Sequence, residues 1–120
     1  MTVSSLPAGA FSQGFTARGK PGPAVAAPGF AMARQGINDY TGWFAANPEM
    51  TGDYYGYDGP FPPWNDSLIH HYVFTLYALD VARAPIEGRF AGAALRQAIY
   101  PHVLGAATHS GTYTLNRRLL

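Results

Sequence analysis

Cysteine is absent from these 120 residues, and charge is scarce: eight basic and seven acidic side chains make up 12% of the chain and leave a net charge of +1. Without cysteine there are no disulfides, no thiolate chemistry and no cysteine-based zinc sites, although reducing and oxidising compartments both tolerate such chains. The near-neutral balance gives no electrostatic footprint for nucleic acid or an anionic membrane surface. No segment approaches the ~20 apolar residues of a membrane span. Met1-Thr2-Val3-Ser4-Ser5-Leu6-Pro7 has neither the basic start nor the apolar run of a signal peptide. A cytoplasmic protein without integral membrane contact is therefore expected.

Motifs of common chemistries are missing as well. The four histidines show no HxxxH, HExxH or carboxylate-flanked spacing that would converge on a metal. There is no Gly-x-Ser-x-Gly elbow, and Gly19-Lys20-Pro21-Gly22 lacks the framing of a phosphate-cradling loop. Neither a metal nor another cofactor is expected.

What the chain does have is glycine and proline, 14 and 10 residues, densest up to about Pro63. Proline fixes φ and lacks an amide proton, while glycine supplies turn conformations that other residues avoid. Long helices are excluded there. Because disorder usually couples low hydrophobicity to high net charge, an ordered, loop-rich region is the better reading. A single domain over 1–120 suits this length, with roughly 65% of the unfolded surface buried.

The most strongly apolar extended segment follows that region. From Tyr72 to Leu79, Tyr72, Phe74, Leu76 and Ala78 lie on one side of a strand and Val73, Thr75, Tyr77 and Leu79 on the other. A strand apolar on both faces belongs in the middle of a covered sheet. Candidate partners are short: Tyr54 to Tyr57, Ala31 to Ala33 and Thr112 to Leu115. Downstream, Leu95, Ile99 and Val103 recur at i, i+4 and i+8, which predicts a helix between roughly Ala93 and Val103. Pro101 costs ~3 kcal/mol in a helix interior, so a break is expected near Tyr100. One strong strand, a kinked helix and three weak strands do not cover both faces, so further strands or a second copy of the chain are required.

The candidate chemistry sits where Gly59-Pro60-Phe61-Pro62-Pro63 meets His70-His71-Tyr72. Glycine lets a ligand approach the main chain, and the prolines reduce the entropy lost when the loop is fixed. A plain connector between strands accounts for the same residues. Period-two alternation places His70 with Tyr72 and Phe74 and turns His71 to the other face. His70 is read either as a strand-end residue satisfied locally or as a donor at a pocket mouth. An unperturbed imidazole titrates near ~6.5, so its charge would respond to its surroundings. Tyr72 adds a neutral donor. His102, on the apolar face of the expected helix, and His109, expected in a loop beside Ser110, read as structural. Trp43 and Trp64 read as packing residues. Neither Asp66 nor Asp80 has a spacing that secures an orienting role for a catalytic histidine.

Read together, Gly-Tyr-Asp-Gly-Pro-Phe-Pro-Pro (56–63) and His-His-Tyr-Val-Phe-Thr-Leu-Tyr-Ala-Leu-Asp (70–80) resemble the phosphatidylethanolamine-binding protein family, specifically its bacterial Raf kinase inhibitor-like branch. Asn38-Asp39-Tyr40, Ala98-Ile99 with His102-Val103-Leu104, Gly111-Thr112-Tyr113 and Val3–Gly9 look like further landmarks. The resemblance implies a mainly β fold, a β-sandwich of antiparallel sheets with helices near the C-terminus, around a small anion-binding pocket. It assigns Gly59, Pro60, His70 and Tyr72 to that pocket by position. The family's Asp-Pro-Asp-x-Pro segment and its upstream histidine near a tryptophan have no counterpart here, so an N-terminally truncated member with a partial pocket is expected. Phe61 stands where bacterial relatives commonly carry cysteine, and Pro101 where glycine is usual.

The expectation is a non-catalytic binding protein for small anions or phosphate-bearing head groups. Its alternatives are a member without a working pocket that dimerises through the bare sheet, and a hydrolase using His70 as general base. A kinase or protease target finds no signature in the sequence.

Overall fold

The computed structural model describes residues 24–27, 30–57 and 60–120. The landmark at Val3–Gly9 lies outside them. The chain divides into two compact units, one drawn from Met1–Asp58 and Ile86–Arg96, the other from Gly59–Pro85 and Gln97–Leu120. The described residues are rich in strand, with two antiparallel two-stranded sheets and few, short helices. Among them, no helix is long and apolar enough to cross a membrane.

In the first unit, strands β1 (Ala24–Ala27) and β2 (Phe30–Arg34) form a hairpin with a register shift between Val25 and Ala27. The chain then runs past Ile37, which bridges Tyr55 antiparallel and Ala91 parallel. Ile37 N donates to Phe90 O (2.8 Å) and Asn38 N to Tyr54 O (2.8 Å), so three segments distant in sequence meet at this point. The expected strand at Tyr54–Tyr57 is reduced to such bridges. Gly56, at φ 81°, turns the backbone out of the extended region immediately after Tyr55.

Helix α1 (Tyr40–Trp43) is a single turn. Asn38 starts it, its Oδ1 accepting from Tyr40 N (3.1 Å). The following turn is closed by Asn47, whose Oδ1 accepts from Glu49 N (2.9 Å) and Met50 N (3.1 Å). Asparagine favours both places because its side chain mimics a backbone acceptor. Below α1 lies Tyr54, with no solvent exposure. Its ring packs tilted against Tyr40 (centroids 6.0 Å apart) and Phe44 (5.6 Å), its amide donates to Thr41 Oγ1 (3.0 Å), and its hydroxyl donates to Met50 O (2.8 Å).

The second unit holds a long hairpin, strands β3 (His70–Leu79) and β4 (Val103–Tyr113), paired from His70↔Tyr113 to Leu79↔Val103. The register shifts after Ala78↔Gly105 and leaves Leu104 with no residue opposite it. β4 is longer and begins earlier than the expected Thr112–Leu115. Its small residues Gly105, Ala106 and Ala107 have low strand propensity, yet each takes a place on the ladder opposite β3. His109, expected in a loop, is a strand residue opposite Phe74. Among the described residues β3 pairs with β4 alone, and both its faces are open: Val73 is 64% exposed and Phe74 51%.

Helix α2 (Gly92–Ile99) ends where the proline argument puts the break. Pro101 falls in the first turn of a 3₁₀ segment, Tyr100–His102, and Val103 is already extended. A first-turn proline is tolerated because its missing N–H would have no partner there anyway. Ile99 is buried on the stripe that the i, i+4 pattern marked. His102 is in the 3₁₀ turn, outside α2. Its Nδ1 lies 2.8 Å from Asp80 Oδ1, and its carbonyl accepts from Asp80 N (2.9 Å).

Candidate functional site

The loop Ser67–Ile69 feeds β3 from a turn at Asp66, where Asp66 N donates to Pro63 O (3.2 Å). Both carboxylate oxygens of Asp66 are engaged. Oδ1 accepts from Leu68 N (3.0 Å), and Oδ2 stands 2.7 Å from His70 Nε2. A carboxylate is acceptor-only, so this bond puts the imidazole proton on Nε2 and points Nδ1 elsewhere. The hydrogen bond from His70 holds the Asp66 carboxyl below its ordinary value, with the Leu68 amide acting in the same sense and burial opposing both. A carboxyl lowered on folding stabilises the fold above its unfolded titration, and that contribution is lost as pH falls through the folded value. The contact therefore weakens on the acid side of the carboxylate range.

Asn116 holds this arrangement from behind. Its Nδ2 donates to Asp66 O (2.7 Å), its N to Thr114 Oγ1 (3.0 Å), and its Oδ1 accepts from Arg118 N (3.0 Å). Sequence reasoning missed Asn116, which is 50 residues from Asp66 and has no spacing signature. It also gave Asp66 no orienting role. The Asp66–His70 contact spans the loop Ser67–Ile69, where Leu68 N also donates to Asp66 Oδ1, and residues four apart touch there outside a helix.

Tyr72 is on the His70 side of β3, as alternation requires. Directly opposite stand Tyr113 for His70, Gly111 for Tyr72 and His109 for Phe74, all on the same face. A Cβ built at Gly111 meets nothing within 4 Å, so the space beside Tyr72 is open. His71 pairs with Thr112 on the other face. Of the remaining candidates, Pro60 is exposed on the loop before β3, Pro62 is buried, and Gly59 lies outside the described residues. The described geometry thus unites His70 and Tyr72 and adds Asp66, Asn116 and His109 to them.

A family model for phosphatidylethanolamine-binding protein matches residues 2–114, nearly the whole chain. The chain belongs to that family. No curated protein matches it, and no solved structure does.

Proposed function

We propose that this chain is a non-catalytic binding protein of the bacterial Raf kinase inhibitor-like branch, taking small anions or phosphate-bearing head groups at the face that carries His70 and Tyr72. The observation that carries the reading is the Asp66–His70 bond beside Tyr72, with open space at Gly111. With Nε2 committed to Asp66, a neutral imidazole offers only an acceptor at Nδ1; the imidazolium offers an N–H. The imidazolium form is thus the one that donates to an anion from Nδ1, and the Tyr72 hydroxyl supplies a second, neutral donor. Gly59 and Pro60 form the loop side of the same pocket by family position. The family resemblance implies a sandwich of antiparallel sheets in which this face is one wall.

Calorimetric titration with phosphorylethanolamine, and with sulfate as an anion of fixed charge, tests the proposal. Weak saturable binding is expected. His70→Ala should lower it roughly tenfold or more, the worth of a hydrogen bond to a charged group. Flat titrations of folded protein would sink the reading. Turnover of an activated ester or phosphate ester, lost in His70→Ala, would replace it with a hydrolytic one, for which Asp66–His70 is the required orienting pair.

One further observation favours a second reading, a member without a working pocket that associates through its sheet. Both faces of the β3–β4 hairpin are open and apolar, with Leu104 72% exposed at the bulge. On that reading sedimentation equilibrium gives a dimer whose population rises with concentration, and Val73→Lys reduces it. A monomer throughout overturns it.

A further inference from the structure

The first unit contains a cleft of about 330 Å³ lined by Asn38, Asp39, Tyr40, Trp43, Gly56 and Tyr57. That volume is at the small end of the range for sites that take small molecules, roughly 300–1,000 Å³. Three of the six lining residues are aromatic. Tyr40 and Trp43 are three residues apart on α1 and so share a side of that turn. Trp43 is 79% exposed. A large aromatic ring left in water beside two tyrosines departs from the usual packing role of tryptophan.

The cleft is held in shape from within. Asn38 Nδ2 donates to Gly56 O (3.0 Å) and its Oδ1 accepts from Tyr40 N, tying the two sides together. Gly56 N donates to Gly36 O (3.2 Å), and Tyr40 is backed by Phe44, stacked at 5.8 Å, and by the buried Tyr54. Asp39 is exposed, and its side chain makes no hydrogen bond to the amides of α1, which it precedes. It forms no ion pair with a described residue, whereas Asp53 is paired with Arg89 in the same unit.

Three aromatic side chains and a carboxylate with no ion pair among the described residues, around one small cleft, attract a cation. The polar groups of Asn38 are already committed, which leaves the exposed Asp39 carboxylate as the charged acceptor for the three N–H groups of a primary ammonium. A methylated ammonium needs none: it is weakly hydrated and binds to aromatic faces through the ring quadrupole. We infer that this cleft, formed by Asp39, Tyr40, Trp43 and Tyr57, is a binding site for quaternary ammonium groups, separate in its residues and its ligand charge from the His70 face.

Isothermal titration of the full chain with choline chloride tests the inference, with 3,3-dimethylbutan-1-ol as the neutral isostere. Saturable binding of choline is expected, with the isostere at least about tenfold weaker. Trp43→Ala, at an exposed position, should weaken choline about tenfold and Asp39→Asn about three- to tenfold. His70→Ala should leave it unchanged, so this site and the anion site can fail independently. Equal binding of the neutral isostere, or no saturation by choline in protein whose circular dichroism is native, would overturn it.

Discussion

Tyr54→Ala is expected to cost the first unit about 3–5 kcal/mol, the range for deleting a fully buried aromatic ring. Tyr54 reaches zero exposure through four separate restraints: its ring lies against Tyr40 and Phe44, its amide donates to Thr41, its carbonyl accepts from Asn38, and its hydroxyl donates to Met50 O. Alanine keeps the two backbone bonds and removes the rest, leaving a cavity beneath α1. Tyr54→Phe keeps the ring and removes the hydroxyl that donates to the Met50 carbonyl, an expected loss of about 1 kcal/mol. Urea unfolding of the three proteins measures both steps. A loss below about 1 kcal/mol for Tyr54→Ala would show that α1 does not depend on this ring.

The second large effect is expected from adding one carbon. A Cβ at Gly36 would stand 2.7 Å from Phe90 Cε2, 2.9 Å from Cδ2 and 2.8 Å from the Phe90 carbonyl oxygen. The ring has little room to turn aside, because Arg34 lies over it at 5.5 Å and Phe90 is buried. The carbonyl cannot withdraw without breaking the bond it accepts from Ile37 N. Gly36→Ala should therefore destabilise by about 1–3 kcal/mol, as overpacking does. Adding Phe90→Leu should recover only part of the loss in a double-mutant comparison, because the backbone clash survives the change of side chain. Full recovery would place the whole effect on the ring.

Local chemistry was legible where one residue decides the outcome. Pro101 ends α2 at Ile99 as its geometry demands, and Ile99 is buried on the stripe its spacing marked. The alternation of β3 placed His70 with Tyr72 and separated His71. The start of β4 was illegible for a converse reason: Gly105-Ala106-Ala107 has no strand signal of its own, and its conformation is set by ten residues of β3. The same holds at the site. Asp66, whose carbonyl accepts from Asn116, reaches His70 across a loop, and a hydrogen bond across 50 residues leaves no periodicity to read. Contacts of that kind are products of the fold, whereas caps, breaks and alternation are written into a few consecutive residues.

The β3–β4 hairpin has one consequence for the colloidal behaviour of the protein. Across His70–Leu79 and Val103–Tyr113 there is no aspartate, glutamate, lysine or arginine, and no proline. Exposed strand edges in other proteins are commonly guarded by such residues. Here the only groups on the two strands that can acquire positive charge are His70, His71 and His109, with His71 on one face and the other two opposite. The hairpin thus carries no permanent charge on either strand to oppose stacking against its own kind.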